Sequence, residues 1–453
     1  MAIQEDNDTI CALSTPNALG AIALVRVSGP KSLQIVKECF SKNLEKKASH
    51  SIVFGNFSNK QGEVIDEVLV SVFHAGKSYT GEETIEISCH GSPFIQKEIL
   101  ETLLSIGCRL ANPGEFTQRA FLNGQLDLSQ AEAVADLIAS QSKQAHRVAM
   151  SQLKGQFSNE LKDLREQLIH FASMIELELD FGEEDVEFAD RTQLEKLVEE
   201  VLQKVHKLVR SFELGNALKN GVPVAIVGAP NVGKSTLLNQ LLGDDRAIVS
   251  DIAGTTRDVI EEVLNIEGIS FRLIDTAGIR ETTEAIESMG IARSKEKIEL
   301  ASIVLCLSDA TDEENLSSSL EWVQALKDTH PEKFIFWIVN KSDIHSFSDA
   351  EAICISAKKG DGIEGLKEKM VECVSGEFDL QEDTIVSNTR HVEALHRTSE
   401  TLTRAKEGIE NQTSADFVAM DIRQAMYHLG SITGDISTED LLGNIFSKFC
   451  IGK

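Results

Sequence analysis

The residues Gly228 to Thr236, Gly-Ala-Pro-Asn-Val-Gly-Lys-Ser-Thr, fit the pattern GxxxxGK[ST]. A loop of this kind holds phosphate because successive backbone N–H groups converge on it at the positive end of the following helix. Asn231, Val232, Gly233, Lys234, Ser235 and Thr236 would form the cradle. Lys234 would reach the β- and γ-phosphates, and Ser235 would ligate Mg²⁺. The apolar run Val224 to Val227 precedes the loop, and Leu237-Leu-Asn-Gln-Leu-Leu opens a helix after it. Strand, loop and helix in that order are the context the motif requires.

Further motifs arrive in sequence. Asp275-Thr276-Ala277-Gly278 closes a β-type run. Asp275 would hold the Mg²⁺ shell, and the Gly278 N–H would sense the γ-phosphate. Asn340-Lys341-Ser-Asp343 follows another apolar run. A carboxylate at Asp343 can accept from guanine N1 and N2, a pattern adenine lacks. Ser356-Ala357-Lys358 would offer backbone to guanine O6, and Thr256 of the pair Thr255-Thr256 would give Mg²⁺ its second hydroxyl. The set describes a unit that binds and hydrolyses GTP. The residue after Gly278 is Ile279, where Ras-like enzymes place a water-orienting glutamine. Isoleucine cannot orient water, so Arg280, Glu281, Glu284 and Glu287 become the candidates. Spacing alone does not choose among them, and reads each glutamate more readily as a solvated charge.

The elements that must carry these motifs follow from periodicity. Residues 217–378 alternate short apolar runs (Val224–Val227, Phe271–Ile274, Ile303–Leu307, Phe334–Val339, Ala352–Ile355) with helical segments, which predicts a doubly wound, Ras-like parallel sheet. Residues 1–120 carry β-type runs such as Ile22–Val27 and Glu83–Ser88, then a helical stretch near 93–105, and predict an α+β domain. In residues 121–216 the texture is helical: Leu161, Leu164, Leu168, Ala172, Ile175 and Leu179 share one face, and Leu194, Val198, Val201, Leu202, Val205 and Leu208 another. The acidic run from Asp180 separates the two. Helical texture returns over 379–453, so the α/β unit reads as an insertion into a helical domain. The fold class is multidomain, α+β and α/β.

A formal net charge of −28 excludes attraction to nucleic acid through the overall field, so any RNA contact needs a local basic patch or a partner. The eight cysteines show no CxxC spacing, which argues against a structural zinc site and for reduced thiols. The acidic start Met1-Ala-Ile-Gln-Glu-Asp and the lack of a long apolar run predict a cytoplasmic chain with no membrane segment.

Several marks outside the nucleotide motifs are shared with one family. They are Gly254-Thr-Thr-Arg-Asp258, the loop bearing Asn231, Asn112-Pro-Gly-Glu-Phe-Thr with Arg119-Ala-Phe-Leu-Asn, and Phe449-Cys-Ile-Gly-Lys453. With the inserted α/β unit, they make the chain resemble the MnmE (TrmE) tRNA modification GTPases from end to end. The resemblance implies a homodimer through an N-terminal folate-binding domain, and G domains that pair across K⁺. It implies K⁺ contacts from Asn231, Ser250, Ile252 and Thr255, the last three within a GTP-binding segment Ser250, Asp251, Ile252, Ala253, Gly254, Thr255 and Thr256. The family often has Thr at the position of Ser250. Glu287 matches the family's water-orienting glutamate.

The same resemblance assigns Arg26, Glu86, Gln125 and Lys453 to a tetrahydrofolate site, with Gln125 where the family commonly has Lys. It suggests a functional thiol at Cys450, although a cysteine there can equally pack as a small apolar group. It also implies tRNA and the FAD-bearing protein MnmG (GidA) as partners. The pair would install a carboxymethylaminomethyl-type group on C5 of the wobble uridine of certain tRNAs. Two alternatives are a ribosome-assembly GTPase and a folate enzyme whose G domain is only structural. Folate binding would separate the first, and loss of modification in a Lys234→Ala chain the second.

Overall fold

Alternation of apolar and polar residues writes a half-buried sheet into the first part of the chain. Strands β1 (Ile10–Leu13), β2 (Ile22–Ser28), β3 (Ser51–Ser58), β4 (Val64–Phe73), β5 (Thr84–His90) and β6 (Arg109–Leu110) form it in the order β3-β4-β5-β2-β1-β6. Neighbours are antiparallel except β1 and β6. Because side chains alternate along a strand, Val68, Val70, Val72, Ile85, Ile87, Ala23, Val25 and Val27 share one buried face. They pack there with Ile35 and Val36 of α1 (Ser32–Cys39) and Ile99 and Leu103 of α2 (Pro93–Ile106). Arg26 and Glu86 fall on the opposite face.

The computed structural model describes residues 8–180, 191–245, 262–274, 296–376, 378 and 383–452. The chain divides into two units, one drawn from Met1–Ala135, Gln152–Glu199 and Glu400–Lys453, the other from Asp136–Ser151 and Glu200–Ser399. Besides the sheet, the first unit holds α3 (Glu115–Leu122), α6 (Gln156–Asp180), α12 (Ala415–Thr433) and α13 (Glu439–Phe446). Leu161, Leu164, Leu168, Ala172 and Ile175 are all buried on α6, along which α12 packs. Gly434 ends α12 at φ +86°, where a Cβ would lie 2.7 Å from the Phe121 ring. Helix α4 (Leu128–Ala139) begins in this unit, and its Leu128 and Ala131 pack with Leu442 and Phe446 of α13.

A charge network ties the sheet to α3. Arg119 donates to Asp8 at 2.5 Å, to Glu115 at 3.0 Å and to Glu82 at 3.3 Å. Arg109 donates to the same Asp8 at 2.6 Å and grips both oxygens of Glu115 at 2.5 and 3.0 Å. Burial works against a charged Glu115, but Arg109, the Asn112 N–H and Arg119 outweigh it and hold its carboxyl below the usual range.

The second unit is a sheet in the order β12-β11-β10-β7-β9-β8. Its strands are β7 (Val222–Gly228), β8 (Glu262–Ile266), β9 (Ile269–Leu273), β10 (Ile303–Asp309), β11 (Phe334–Asn340) and β12 (Ala352–Cys354). Both faces are covered. Val224, Ile226 and Leu305 meet Leu237 and Leu241 of α8 (Lys234–Asp245) and Leu366 and Met370 of α10 (Ile363–Ser375). Ala225, Val227, Val304 and Cys306 meet Leu316 and Val323 of α9 (Glu313–Thr329). Burial on both faces is why these strands read as continuous apolar runs. The expected parallel order holds except at the edge, where β8 runs antiparallel to β9. The cause is a tight turn with Glu267 at φ +51° and Gly268 at φ +84°, both in the left-handed region that a two-residue hairpin needs. The remaining helices are α5 (Lys143–Leu153), α7 (Arg191–Asn220) and α11 (Thr389–Glu410). On α7, Leu194, Val198, Val201, Leu202, Val205 and Leu208 are buried as their spacing requires.

Arg119 is only 11% exposed, so Arg119→Met should leave three carboxylates under-compensated and cost about 3 kcal/mol. Hydrogen exchange of peptides from β1 and α3, read against urea by mass spectrometry, measures this. The folded-state depression at Glu115 stabilises the unit above pH about 4 and is lost as pH falls through the lowered value. A Glu115→Gln chain should therefore be less stable at neutral pH and lose less on acidification.

Candidate functional site

The phosphate loop is made by the end of a buried strand meeting the start of a helix. β7 stops at Gly228, φ +147°, where a Cβ would come within 2.3 Å of the Leu307 carbonyl oxygen on β10. Gly233 closes the loop at φ +100°, and a Cβ there would lie 2.2 Å from Asn340 Nδ2. Only glycine fits at both positions. Asn231 takes φ +63° and is exposed. Val232 is buried, Ser235 lies in the first turn of α8, and Thr236 is exposed beside it. Lys234 Nζ donates to the carbonyls of Gly228 at 2.8 Å and Ala229 at 2.7 Å. An ammonium has three donors, so one remains for a phosphate oxygen. Burial, helped by Lys297, lowers the Lys234 pKa.

Asn340 joins the phosphate half of the site to the base half. Its amide Nδ2 donates to the Val232 carbonyl at 2.8 Å, and its Oδ1 accepts from the Ala357 N–H at 2.9 Å. Both bonds are buried. Asp343 accepts from Ser356 Oγ at 2.8 Å, and Lys359 Nζ lies 3.6 Å from its other oxygen. The Ser356 bond, with Lys359 adding to it, holds Asp343 below the ordinary carboxylate range and so ionised. Lys341 takes φ +66° and pairs with Asp309, and Lys358 is exposed. An ionised carboxylate acceptor at this loop can accept from a base with adjacent N–H donors, as guanine presents and adenine does not.

The structure thus brings together Asn231 to Thr236, Asn340, Lys341, Asp343, Ser356, Ala357 and Lys358 around the ends of β7, β10 and β11. The expected residues Ser250, Asp251, Ile252, Ala253, Gly254, Thr255, Thr256, Asp275, Thr276, Ala277, Gly278 and Glu287 lie outside the described residues, as do Ile279, Arg280, Glu281, Glu284 and Lys453. Among the described residues, no group of three or more His, Cys, Asp or Glu could hold a metal ion. The Ser235 hydroxyl and the Asn231 amide are hard oxygen donors and fit Mg²⁺ and K⁺ by type.

In the first unit, Arg26 and Glu86 are register partners on β2 and β5 and form an ion pair at 2.9 Å. The Arg26 guanidinium also lies over the rings of Tyr79, at 5.3 Å, and Phe116, at 5.5 Å. Tyr79 in turn hydrogen-bonds Thr117 at 2.9 Å. Gln125 sits by Gly81, two residues beyond Tyr79, its Cγ 3.2 Å from where a Gly81 Cβ would be. Cys450 is exposed, and its carbonyl accepts from the Gly114 N–H at 3.3 Å, at the start of α3. No hydrogen bond links Gln125 or Cys450 to Arg26 or Glu86 among the described residues. Sequence reading missed Tyr79, Phe116 and Asp309. Tyr79 stands in a polar turn and Phe116 in a short helix, so neither belongs to a periodic run.

Two family descriptions match the chain: "MnmE helical domain" over residues 128–450 and "GTP-binding protein TrmE N-terminus" over residues 9–125. A protein of Cytophaga hutchinsonii named tRNA modification GTPase MnmE is 54% identical over 462 residues, covering 100% of this chain and 99% of that protein. Proteins of the same name from Christiangramia forsetii and Flavobacterium johnsoniae are 51% and 50% identical over 472 and 465 residues. They cover 99% of this chain and 99% and 100% of theirs.

Asn340→Ala would strip partners from the Val232 carbonyl and the Ala357 N–H and should cost about 2 kcal/mol or more. Both tryptophans, Trp322 and Trp337, lie in the second unit, so their fluorescence in urea reads this loss. Guanine nucleotide affinity should fall at least about tenfold in titrations, because the two halves of the site lose their common anchor.

Proposed function

The chain belongs to the family of the tRNA modification GTPase MnmE, and from that premise we propose a K⁺-activated GTPase that acts with an FAD-bearing flavoprotein partner, MnmG. Together they add a carboxymethylaminomethyl-type group to C5 of the wobble uridine, U34, of certain tRNAs, with a tetrahydrofolate one-carbon unit. The observation that carries the nucleotide part is the Asn340 amide, which fastens the phosphate loop to a base loop where Asp343 stands as an ionised acceptor.

Each residue then has a physical task. Lys234 and the loop N–H groups hold the β- and γ-phosphates, and Asp343 selects guanine over adenine. Ser235 and Thr256 would hold Mg²⁺, with Asp275 in its shell. Asn231, Ser250, Ile252 and Thr255 would hold K⁺. A potassium ion there supplies the positive charge that an arginine finger supplies elsewhere. Glu287 orients the water that attacks the γ-phosphorus as the bond to GDP breaks, a task closed to the apolar Ile279.

In the first unit, Arg26, Glu86, Gln125 and Lys453 would hold the folate. The fit is chemical: the Arg26–Glu86 pair presents donors and a carboxylate beside the Tyr79 ring, as a flat heterocycle with amide and amine edges requires. Gln125 keeps the hydrogen-bonding capacity of a lysine without its charge. Cys450 would place its exposed thiol near that ligand. The bound one-carbon unit supplies the carbon that joins the uridine. The site residues fall in three regions, which we read as 1–120 for folate and dimer formation, 121–216 with 379–453 as the helical domain, and 217–378 as the G domain. The setting is cytoplasmic and the protein a homodimer. No described helix is long and apolar enough to cross a membrane.

Hydrolysis in KCl should exceed that in NaCl at equal ionic strength by about 100-fold, and equal rates would remove K⁺ from the mechanism. Glu287→Ala should bind GTP normally but lower kcat by at least about 100-fold. The broad function is tested by mass spectrometry of tRNA from cells lacking the protein. Position 34 should carry unmodified uridine in the affected tRNAs, and fully modified tRNA would overturn the reading.

A further inference from the structure

A histidine closes the root of the turn that carries Tyr79. His74 follows β4, and Glu83 precedes β5. His74 Nδ1 lies 2.7 Å from Glu83 Oε1, and its Nε2 lies 2.9 Å from the Lys47 carbonyl oxygen. A carboxylate and a carbonyl only accept hydrogen bonds, so both ring nitrogens must donate. A neutral imidazole has one N–H, and only the protonated ring satisfies both contacts. The Lys47 carbonyl and then Glu83 accordingly raise the His74 pKa, against burial and the charge of Lys77. Of the other titratable groups nearby, Glu82 turns away to Ser28 and Arg119, and His50 sets its ring against Phe73 at 5.4 Å.

The two contacts hold the turn in place. Glu83 uses its second oxygen to accept from the Ala75 N–H at 3.3 Å, and its carbonyl accepts from the Gly29 N–H at 3.0 Å. Residues 75–77 are exposed, so this arm of the turn meets the rest of the unit through His74. The Gly76 N–H donates across the turn to the Gly81 carbonyl at 2.8 Å, which couples the two arms. On the far arm the Thr80 carbonyl accepts from Asn123 Nδ2 at 2.8 Å. Tyr79 stands between the arms with its ring centre 5.3 Å from the Arg26 guanidinium carbon, so the seat of the turn sets the seat of the ring.

We propose that His74 is a positioning residue for the ligand site on β2 and β5: as an imidazolium it latches the 74–83 turn and so holds Tyr79 over Arg26. This rests on the reading of that site as a folate site. A proton held more tightly in the latched turn stabilises it fully below about pH 6.5, and the contribution is lost as pH rises through the raised value. Ligand affinity should fall over the same interval. The ring is 36% exposed, so solvent screens the pair and the effect is modest.

The test is titration of the full chain with 5-formyltetrahydrofolate, a stable reduced folate, between about pH 6 and about pH 9, above the range in which carboxylates titrate. Wild-type affinity should fall by about threefold across that interval. Glu83→Gln should hold its affinity or gain, because the amide can donate to a neutral ring while its oxygen still accepts from the Ala75 N–H. His74→Ala should bind at every pH as weakly as the wild type does at the upper end. A flat wild-type profile, a Glu83→Gln profile that falls as the wild type's does, or a His74→Ala chain that keeps the slope would each overturn the proposal. NMR of ¹³C-labelled histidine, assigned with His74→Ala, must also show His74 titrating above its ordinary value, and titration at or below it refutes the latch. A wild-type chain that binds no reduced folate at any pH would instead overturn the folate-site reading itself. Circular dichroism monitors folding. If Glu83→Gln does not fold, His74→Ala and the NMR titration decide.

Discussion

The side-chain amide of Asn340 is the contact on which the nucleotide site depends. Two loops separated by more than a hundred residues of chain must hold a fixed spacing, because the ligand's phosphates and base are joined by a sugar of fixed length. The β7–β10 and β10–β11 ladders space the strand ends, but they do not join the loops to each other. One amide, donating to Val232 and accepting from Ala357, does so with two buried hydrogen bonds. The requirement then propagates outward. Gly233 must lack a Cβ because Asn340 occupies that space. β11 must be straight and buried to present Asn340, which its apolar run Phe336 to Val339 secures between helices on both faces.

The first unit solves a comparable problem with charge. The face of β2 and β5 that carries Arg26 and Glu86 is turned away from the core, so the pair could swing freely. Tyr79 and Phe116 prevent this by covering the guanidinium. Those rings are held in turn by the Arg109–Arg119 network, which clamps α3 and the 78–82 turn through Glu115 and Glu82. Ser28 reinforces the clamp by donating to Glu82 at 2.8 Å while contacting Thr80 at 2.7 Å. A buried network of this kind is costly to leave half satisfied. It therefore favours a single arrangement of the turn over many.

Much of this was legible in the sequence because it rests on local patterns. The runs at Val224, Ile303 and Phe334 name strands buried on both faces, and the Leu161 to Ile175 spacing names a helix face. The phosphate and base motifs name their own partners because their chemistry fixes both residue type and element end. What escaped was of two kinds. The β8–β9 hairpin turns on Glu267-Gly268, and Glu is not a residue that advertises a left-handed turn. The Asp309–Lys341 pair and the Arg26 cage join positions far apart in sequence, and no spacing rule predicts which aspartate meets which lysine. The resemblance implies Glu86 as a ligand contact, and its pairing with Arg26 follows only from the β2–β5 register.

The charge of the chain gives these contacts their weight. At a formal net charge of −28 the molecule's overall field repels a nucleotide triphosphate. Affinity must then come from short-range groups that act only on contact. The backbone donors of the phosphate loop and the α8 N-terminus are of that type, because dipoles add little to the long-range field. Two of the cations at the site are also engaged within the protein. Lys234 is shared with two carbonyls, and Lys341 is neutralised by Asp309. Contact recognition of this kind tolerates little play, since a hydrogen bond weakens steeply when misaligned. A loop assembled in advance is thus a condition of binding in so acidic a protein, and the buried Asn340 amide is what meets it.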